Sequence, residues 1–171
     1  CGKALKGLGT GEGMIVPFTS PRSVLNGRVR EKRRFATQQF SMERLRTLAK
    51  AAECTLNDIV LAICGGALRR FLEERDGLPE QSLTTGIPVS VRPADDQGSG
   101  NAITFIIATL GTDIADARER LGAIRESVRR AKEHVQSLPR RAMLQYTVLL
   151  MATLFPDPTG LGRRSHAALP L

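Results

Sequence analysis

The order of elements read from the sequence is strand, helix, helix, strand, strand, helix, helix, which predicts an α/β layered domain with a mixed sheet. Three observations carry it. Two adjacent helices open on separate cap signals, at Ser41 and Thr55. Two segments rich in β-branched residues, 83–92 and 101–110, flank the polar turn PADDQGSGN. An apolar stripe then recurs in steps of three and four from Ile114 to Val135, the spacing of one helix face.

Residues 1–27 read as a linker or crossover segment: Gly7, Gly9, Gly11 and Gly13 alternate, and Pro17 and Pro21 interrupt any regular element. No Gly-Lys-Ser/Thr follows these glycines, so a phosphate loop is not indicated. RRFATQQFS, from Arg33, is expected as a strand with Phe35 and Phe40 as its bulky members. Ser41 then caps a helix with Met42, Leu45, Leu48, Ala49 and Ala52 as its apolar stripe, and Glu43 suits its first turn.

Thr55-Leu56-Asn57-Asp58 has the form of a capping box. The run IVLAICGGAL behind it is apolar all round, which predicts a buried, central core helix stopped by Gly77 and Pro79. The near-continuous apolar strand NAITFIIATL is expected to be covered on both faces. Asp113 is the expected cap of the long helix, with Arg118, Glu119, Arg125, Glu126, Arg129 and Arg130 facing water. Pro139 opens a last helix over 142–155. Its 14 residues give about 21 Å of helix, short of the roughly 30 Å hydrocarbon layer. Residues 156–171 form an unpatterned tail.

The chain's 171 residues allow one ordinary domain or one lobe of a larger enzyme. It begins with Cys1, which suggests a processed chain or a piece of a longer one. The charge of +8 is placed in the first fifty residues, which hold eleven basic and three acidic side chains. Such a surface suits CoA phosphate, anionic membrane or simply water. With seven aromatics and no Trp, the stacking platforms of a single-strand nucleic-acid binder are missing. Cys1, Cys54 and Cys64 form neither a disulfide framework nor a zinc pattern, and His134 and His166 stand apart, so a reducing, cytoplasmic setting and no metal are expected.

Several stretches together, in order, resemble a known family: PRSVLNG at 21–27, RRFA at 33–36 and TLNDIVLAICGGALRRFL at 55–72. They continue with LP at 78–79, IPVSVRP at 87–93, GN at 100–101 and ERL at 119–121. The combination, over roughly residues 15–150, resembles the bacterial wax ester synthase/diacylglycerol acyltransferase family of the chloramphenicol-acetyltransferase-like superfamily. The resemblance implies two α/β lobes with a tunnel between them, and transfer of an acyl group from acyl-CoA to a fatty alcohol or diacylglycerol. Acyl-CoA enters as substrate and no cofactor is implied. The implied catalytic signature, His-His-x-x-x-Asp-Gly with its second histidine as general base, is not in this sequence. On this reading residues 28–155 are part of the second lobe, the partner is an N-terminal lobe of the same protein, and the segment alone is expected to be inactive.

The family's Asn-Asp pair falls on Asn57 and Asp58, although Asp58 also stands where a capping box wants an acid. Asn26 either makes a lobe-crossing turn with Gly27, using the positive φ that Asn-Gly adopts readily, or lines the tunnel. Ser90, Arg92 and Asn101 are further tunnel candidates. Arg33, Arg34 and Arg92 are candidates for CoA phosphate. Ser90 has no histidine placed to make it a nucleophile. Two alternatives remain: a non-catalytic module that binds acyl-CoA or a membrane or lipid-inclusion surface, and a condensation-type lobe that takes carrier-bound acyl groups.

Overall fold

The structure, a computed structural model, describes residues 20–27, 31, 34–90, 103–139, 142–143 and 145–148. Its elements are a single 3₁₀ turn at Val24–Asn26, helices α1 (Met42–Ala51) and α2 (Leu56–Glu73), strands β1 (Thr84–Ser90) and β2 (Ile103–Thr109), and helix α3 (Ala117–Ser137). The α/β class is therefore as expected. The described residues fall into two compact units, one holding β1, β2 and α3 from residue 126 onward and the other lying within residues 21–83 and 110–125.

In the first unit β1 and β2 pair antiparallel, from Thr84 opposite Thr109 to Ser90 opposite Ile103. Thr104, Ile106, Ile107 and Ala108 are all buried, so successive side chains on both faces of β2 are covered. The Ser127 hydroxyl of α3 accepts from the Thr109 N–H at 3.1 Å, and Val128, Ala131 and Val135 continue the helix's buried stripe. Residues 142–143 and 145–148 are helical, with the Thr104 and Thr147 hydroxyls 2.7 Å apart.

The mixed pairing does not appear among the described residues, where the sheet is two-stranded and antiparallel. Residues 34–40, expected as strand, are irregular and exposed, with Phe35 at 92%. The reason is visible in the spacing: Phe35 and Phe40 are five apart, so a period of two puts them on opposite faces and neither face becomes apolar.

In the second unit α1 and α2 meet at 101°. Ser41 caps α1 as expected, its hydroxyl accepting from Arg44 N–H at 3.3 Å. Of the expected stripe, Leu45 and Ala49 are buried with Ile59 of α2, whereas Met42 and Leu48 are exposed. Both helices end in the same motif. Glu53 and Asp76 take left-handed backbone, at φ 50° and 49°. The next N–H then reaches back, Cys54 to Ala49 O at 2.9 Å and Gly77 to Leu72 O at 3.0 Å. The left-handed residue that stops α2 is thus Asp76, one before the expected Gly77.

Two further expectations are corrected here. The cap of α3 is Asp116, not Asp113: its Oδ1 accepts from the N–H groups of Arg118 and Glu119 at 2.8 and 2.9 Å. A turn closed by Ile114 N–H to Gly111 O, with Gly111 at φ +60°, occupies the segment where an earlier start would lie. Nor is α2 buried all round. Ile59, Gly65 and Leu72 are covered, while Val60, Ile63, Cys64, Ala67 and Phe71 are exposed on the other face. Among the described residues no single helix is long and apolar enough to cross a membrane.

Candidate functional site

Two of the residues singled out in the sequence, Asn57 and Asp58, open α2. Thr55, in extended backbone, accepts the Asp58 N–H on its hydroxyl at 3.2 Å. Asp58 Oδ2 accepts in return from Thr55 N–H at 2.9 Å and from the Thr55 hydroxyl at 2.7 Å. Asp58 is only 4% exposed, and one carboxylate oxygen is fully engaged in the cap. Asn57 beside it is exposed. Burial pushes the neighbouring Cys54 thiol up, the Asp58 charge adds to this, and Arg125 opposes it. Leu121 of α3 packs with Cys54 and Leu56 on the Leu45–Ala49–Ile59 cluster. The first turns of α3 therefore pack near the start of α2.

The far end of α2 holds Asn26. Its Oδ1 accepts from the Ser23 N–H at 2.8 Å, a small capping box that closes the 3₁₀ turn. Gly27 lies at φ −69°, so the expected positive-φ Asn-Gly turn is not formed. The amide is used to hold Ser23 instead. Leu25 packs on Leu72, Leu83 and Leu110, and Val24 lies against Gly77. An 18-residue helix is about 27 Å long, so Asn26 and the Asn57–Asp58 pair stand at opposite ends and make no common site.

Ser90 is exposed at the end of β1, opposite Ile103. Arg34 is exposed in the irregular segment before α1. Arg33, Arg92 and Asn101 lie outside the described residues.

One buried charge was not singled out from the sequence. Arg120 is 8% exposed, and its Nη1 donates to the carbonyls of Ile114 at 2.8 Å and Ala115 at 3.3 Å. Its Nε is buried without a partner. The guanidinium lies where a Cβ on Gly66 would come 3.1 Å from Nη2, and its stem where a Cβ on Gly111 would come 2.7 Å from Cγ. Arg69 Nη1 donates to Thr112 O at 2.8 Å, and Gly65 lets the Leu110 carbonyl touch the helix. Residues 110–115 are thus clasped onto the middle of α2. The signal was present: position 120 falls four before Ile124, on the buried stripe, whereas Ala117 of the expected stripe is exposed.

Among the described residues no nucleophile–histidine pair is formed. His134 lies in the last turn of α3, and His166 lies outside the described residues. Among the described residues no three or more His, Cys, Asp or Glu side chains could hold a metal ion together. What the site offers chemically is a rigid, capped helix start with an exposed carboxamide.

Comparison with known proteins assigns the class. The model of the wax ester synthase/diacylglycerol acyltransferase catalytic domain matches residues 2–60, and that of the WS/DGAT C-terminal domain matches residues 99–158. The chain belongs to the wax ester synthase/diacylglycerol acyltransferase family. A putative diacylglycerol O-acyltransferase of Mycobacterium tuberculosis is 49% identical over 139 residues, 81% of this chain and 28% of the relative. The O-acyltransferase WSD of Acinetobacter baylyi is 39% identical over 145 residues, 85% of this chain and 31% of the relative. The solved wax ester synthase/diacylglycerol acyltransferase from Marinobacter aquaeolei VT8 superposes with a TM-score of 0.69 at 30% identity. That match covers 98% of this chain and 36% of the solved one. The chain thus spans about a third of the length of these relatives.

Proposed function

We propose that this chain is part of a long-chain O-acyltransferase, moving an acyl group from acyl-CoA to a fatty alcohol or diacylglycerol to give wax ester or triacylglycerol. The observation that supports it is the match of nearly the whole chain, in sequence and in fold, to a wax ester synthase/diacylglycerol acyltransferase. In the reaction the acceptor oxygen attacks the thioester carbonyl, the new C–O bond replaces C–S, and the hydroxyl proton ends on the CoA thiol. No electron is transferred to or from a third species, so acyl-CoA suffices as substrate and no cofactor is called for.

The base that takes the hydroxyl proton must come from a His-His-x-x-x-Asp-Gly segment, which this sequence lacks. The contribution of this chain is to bind and position: Asn57 is the exposed polar group at the capped start of α2, and Asp58 holds that start in shape. Arg33, Arg34 and Arg92 are the CoA-phosphate candidates, and Asn26, Ser90 and Asn101 the tunnel candidates. The test is product formation from acyl-CoA and hexadecanol, or from acyl-CoA and diacylglycerol. The chain alone should give no ester, and the chain joined to a polypeptide bearing the histidine segment should give ester. Ester from the chain alone overturns the argument about the base. No ester from the joined pair sinks the acyltransferase reading.

A second reading has its own observation. Phe35 at 92%, Phe40 at 55% and Met42 at 45% exposure stand beside Arg34, Arg44, Arg46 and Lys50, all exposed. Aromatic and basic side chains interleaved in this way suit the headgroup layer of an anionic membrane or a lipid inclusion. On this reading the protein is cytoplasmic and peripheral on the inner membrane or on lipid inclusions. Flotation on vesicles with and without acidic lipid decides it, and equal recovery on both removes this reading.

A further inference from the structure

We propose that the exposed face of α2 is a ruler for the acyl chain, with Asn57 at its head, Ala67 on its track and Phe71 as its stop. Asn57, Val60, Cys64, Ala67 and Phe71 follow one another in steps of three and four, and every one is exposed. That spacing keeps them on one side of the helix, polar at the first member and apolar from there on. The opposite side is already covered at Ile59, Gly65 and Leu72. The inference rests on the acyl-transfer reading above and adds to it the residues that measure the chain.

Length, polarity and charge all favour a long-chain acyl thioester as the occupant. From Asn57 to Phe71 the helix rises about 21 Å. The acyl chain of a membrane lipid spans about 15 Å, half of the roughly 30 Å hydrocarbon layer. A chain of that length, with its thioester carbonyl at the Asn57 amide, ends between Ala67 and Phe71. There the track is closed: the Arg75 guanidinium lies 3.8 Å over the Phe71 ring and donates to the Phe71 carbonyl. An alkane pushed past it would strip water from a charge. Positive charge is distributed to match. Along α2 it is used up, Arg69 pairing with Glu73 at 2.6 Å and Arg70 with Glu74 at 3.0 Å. At the head, α1 crosses the start of α2, with Leu45 and Ala49 packing on Ile59. Arg46 and Lys50 of α1, one turn apart and exposed, form no ion pair among the described residues. The phosphates of CoA thus find cations at the Asn57 end, where the apolar chain does not lie. A flat lipid surface would ask for cations on both flanks of the stripe, and a second copy of this chain would have no need of a polar head and a charged stop.

The chain is joined to a polypeptide bearing the histidine segment and mixed, without acceptor, with palmitoyl-CoA carrying a diazirine midway along its chain. Irradiation and peptide mass spectrometry should place the adducts on α2 between Val60 and Phe71, and excess unlabelled palmitoyl-CoA should remove them. Ala67→Trp lays a ring back over the preceding turn of the track. It should lower the palmitoyl-to-octanoyl ratio of kcat/KM at least tenfold, since each methylene lifted off an apolar wall is worth about fourfold. Phe71→Ala should raise the tetracosanoyl-to-palmitoyl ratio. Both side chains are exposed, so the melting temperature should not move. Adducts only outside α2, or both ratios unchanged in folded variants, overturn the proposal. Adducts on α2 that survive excess palmitoyl-CoA overturn it as well. Cys64, exposed on the track, reports on other occupants. Alkylation that slows with protein concentration or with anionic vesicles, acyl-CoA being absent, gives the face to a second copy or to a membrane and overturns the ruler equally. If the joined protein makes no ester, the acyltransferase reading fails, and the position of the diazirine adducts then decides the ruler alone.

Discussion

Replacing Gly65 by alanine adds one methyl group at the point where α2 meets the chain after β2. Within the helix the change is favourable by about 1 kcal/mol, because glycine is a poor helix former. Against this, the new Cβ would collide with the carbonyl oxygen of Leu110 and lie 3.2 Å from its carbonyl carbon. Both sides of the contact are backbone, so no change of rotamer relieves it. Leu110 is also tied down: its N–H donates to Leu83 O at 2.9 Å, and its side chain is buried with Leu72 and Leu83. Overpacking of this kind costs about 1–3 kcal/mol, and losing the Leu110–Leu83 hydrogen bond adds about 1 kcal/mol. After the helix gain, Gly65→Ala should lose about 1–3 kcal/mol, at roughly 2–4 °C of melting temperature per kcal/mol for a chain of this size. Gly122→Ala is the matched control, since nothing lies within 4 Å of its Cβ position, and it should gain up to about 1 kcal/mol. Thermal and urea unfolding followed by circular dichroism measures both. If Gly65→Ala proves as stable as Gly122→Ala, residues 110–115 are not seated on α2 and the clasp described here is wrong.

Asp58→Ala should cost about 1 kcal/mol as a lost cap, and Asp58→Asn, which keeps an acceptor oxygen, should recover most of it in the same unfolding assay. Equal losses would mean that the charge, rather than the cap, is what the protein uses. Glu53→Gly and Asp76→Gly should each raise stability by about 0.5–1 kcal/mol, because glycine takes left-handed backbone at no steric cost. A drop in melting temperature for either would contradict the positive φ. Hydrogen bonds from Arg129 and then Arg130 hold the Glu126 carboxyl down at about 2, from an ordinary 4.5. Because the folded value is the lower one, its stabilising effect is complete above 4.5 and is lost as pH falls through about 2. An NMR titration of Glu126 should therefore have its midpoint near 2, and a midpoint near 4.5 would show that the Arg129–Arg130 network does not form.

The parts of the fold that could be read in the sequence are those fixed by neighbours along the chain. Ser41 and the Thr55–Asp58 box cap their helices because a side-chain oxygen needs only the N–H groups two or three residues ahead. The apolar stripe from Ile124 to Val135 is buried because its spacing admits one buried face. What failed depended on contacts between distant residues. Asp113 was a plausible cap until the turn at Gly111 delayed the helix to Asp116. Residues 34–40 were plausible as a strand, but a strand needs a partner edge that local pattern does not supply.

The candidate site divides along the same line. Asp58 was read both as a cap and as a family residue, and its geometry satisfies the first role completely: both Thr55 donors converge on one carboxylate oxygen. That does not remove the motif from function; it moves the exposed chemistry to Asn57, whose position depends on the cap that Asp58 makes. Arg120 shows the reverse case. An arginine among helical charges reads as solvated, yet here two carbonyls and two glycines make room for it beneath the surface. Burying a guanidinium is costly, so its place must be repaid by what it fixes. What it fixes is the chain leading into α3 against the middle of α2. Helix α2 is therefore held twice, at its start by its own cap and at its middle by an arginine more than fifty residues away, and the cap was the clearer of the two in the sequence.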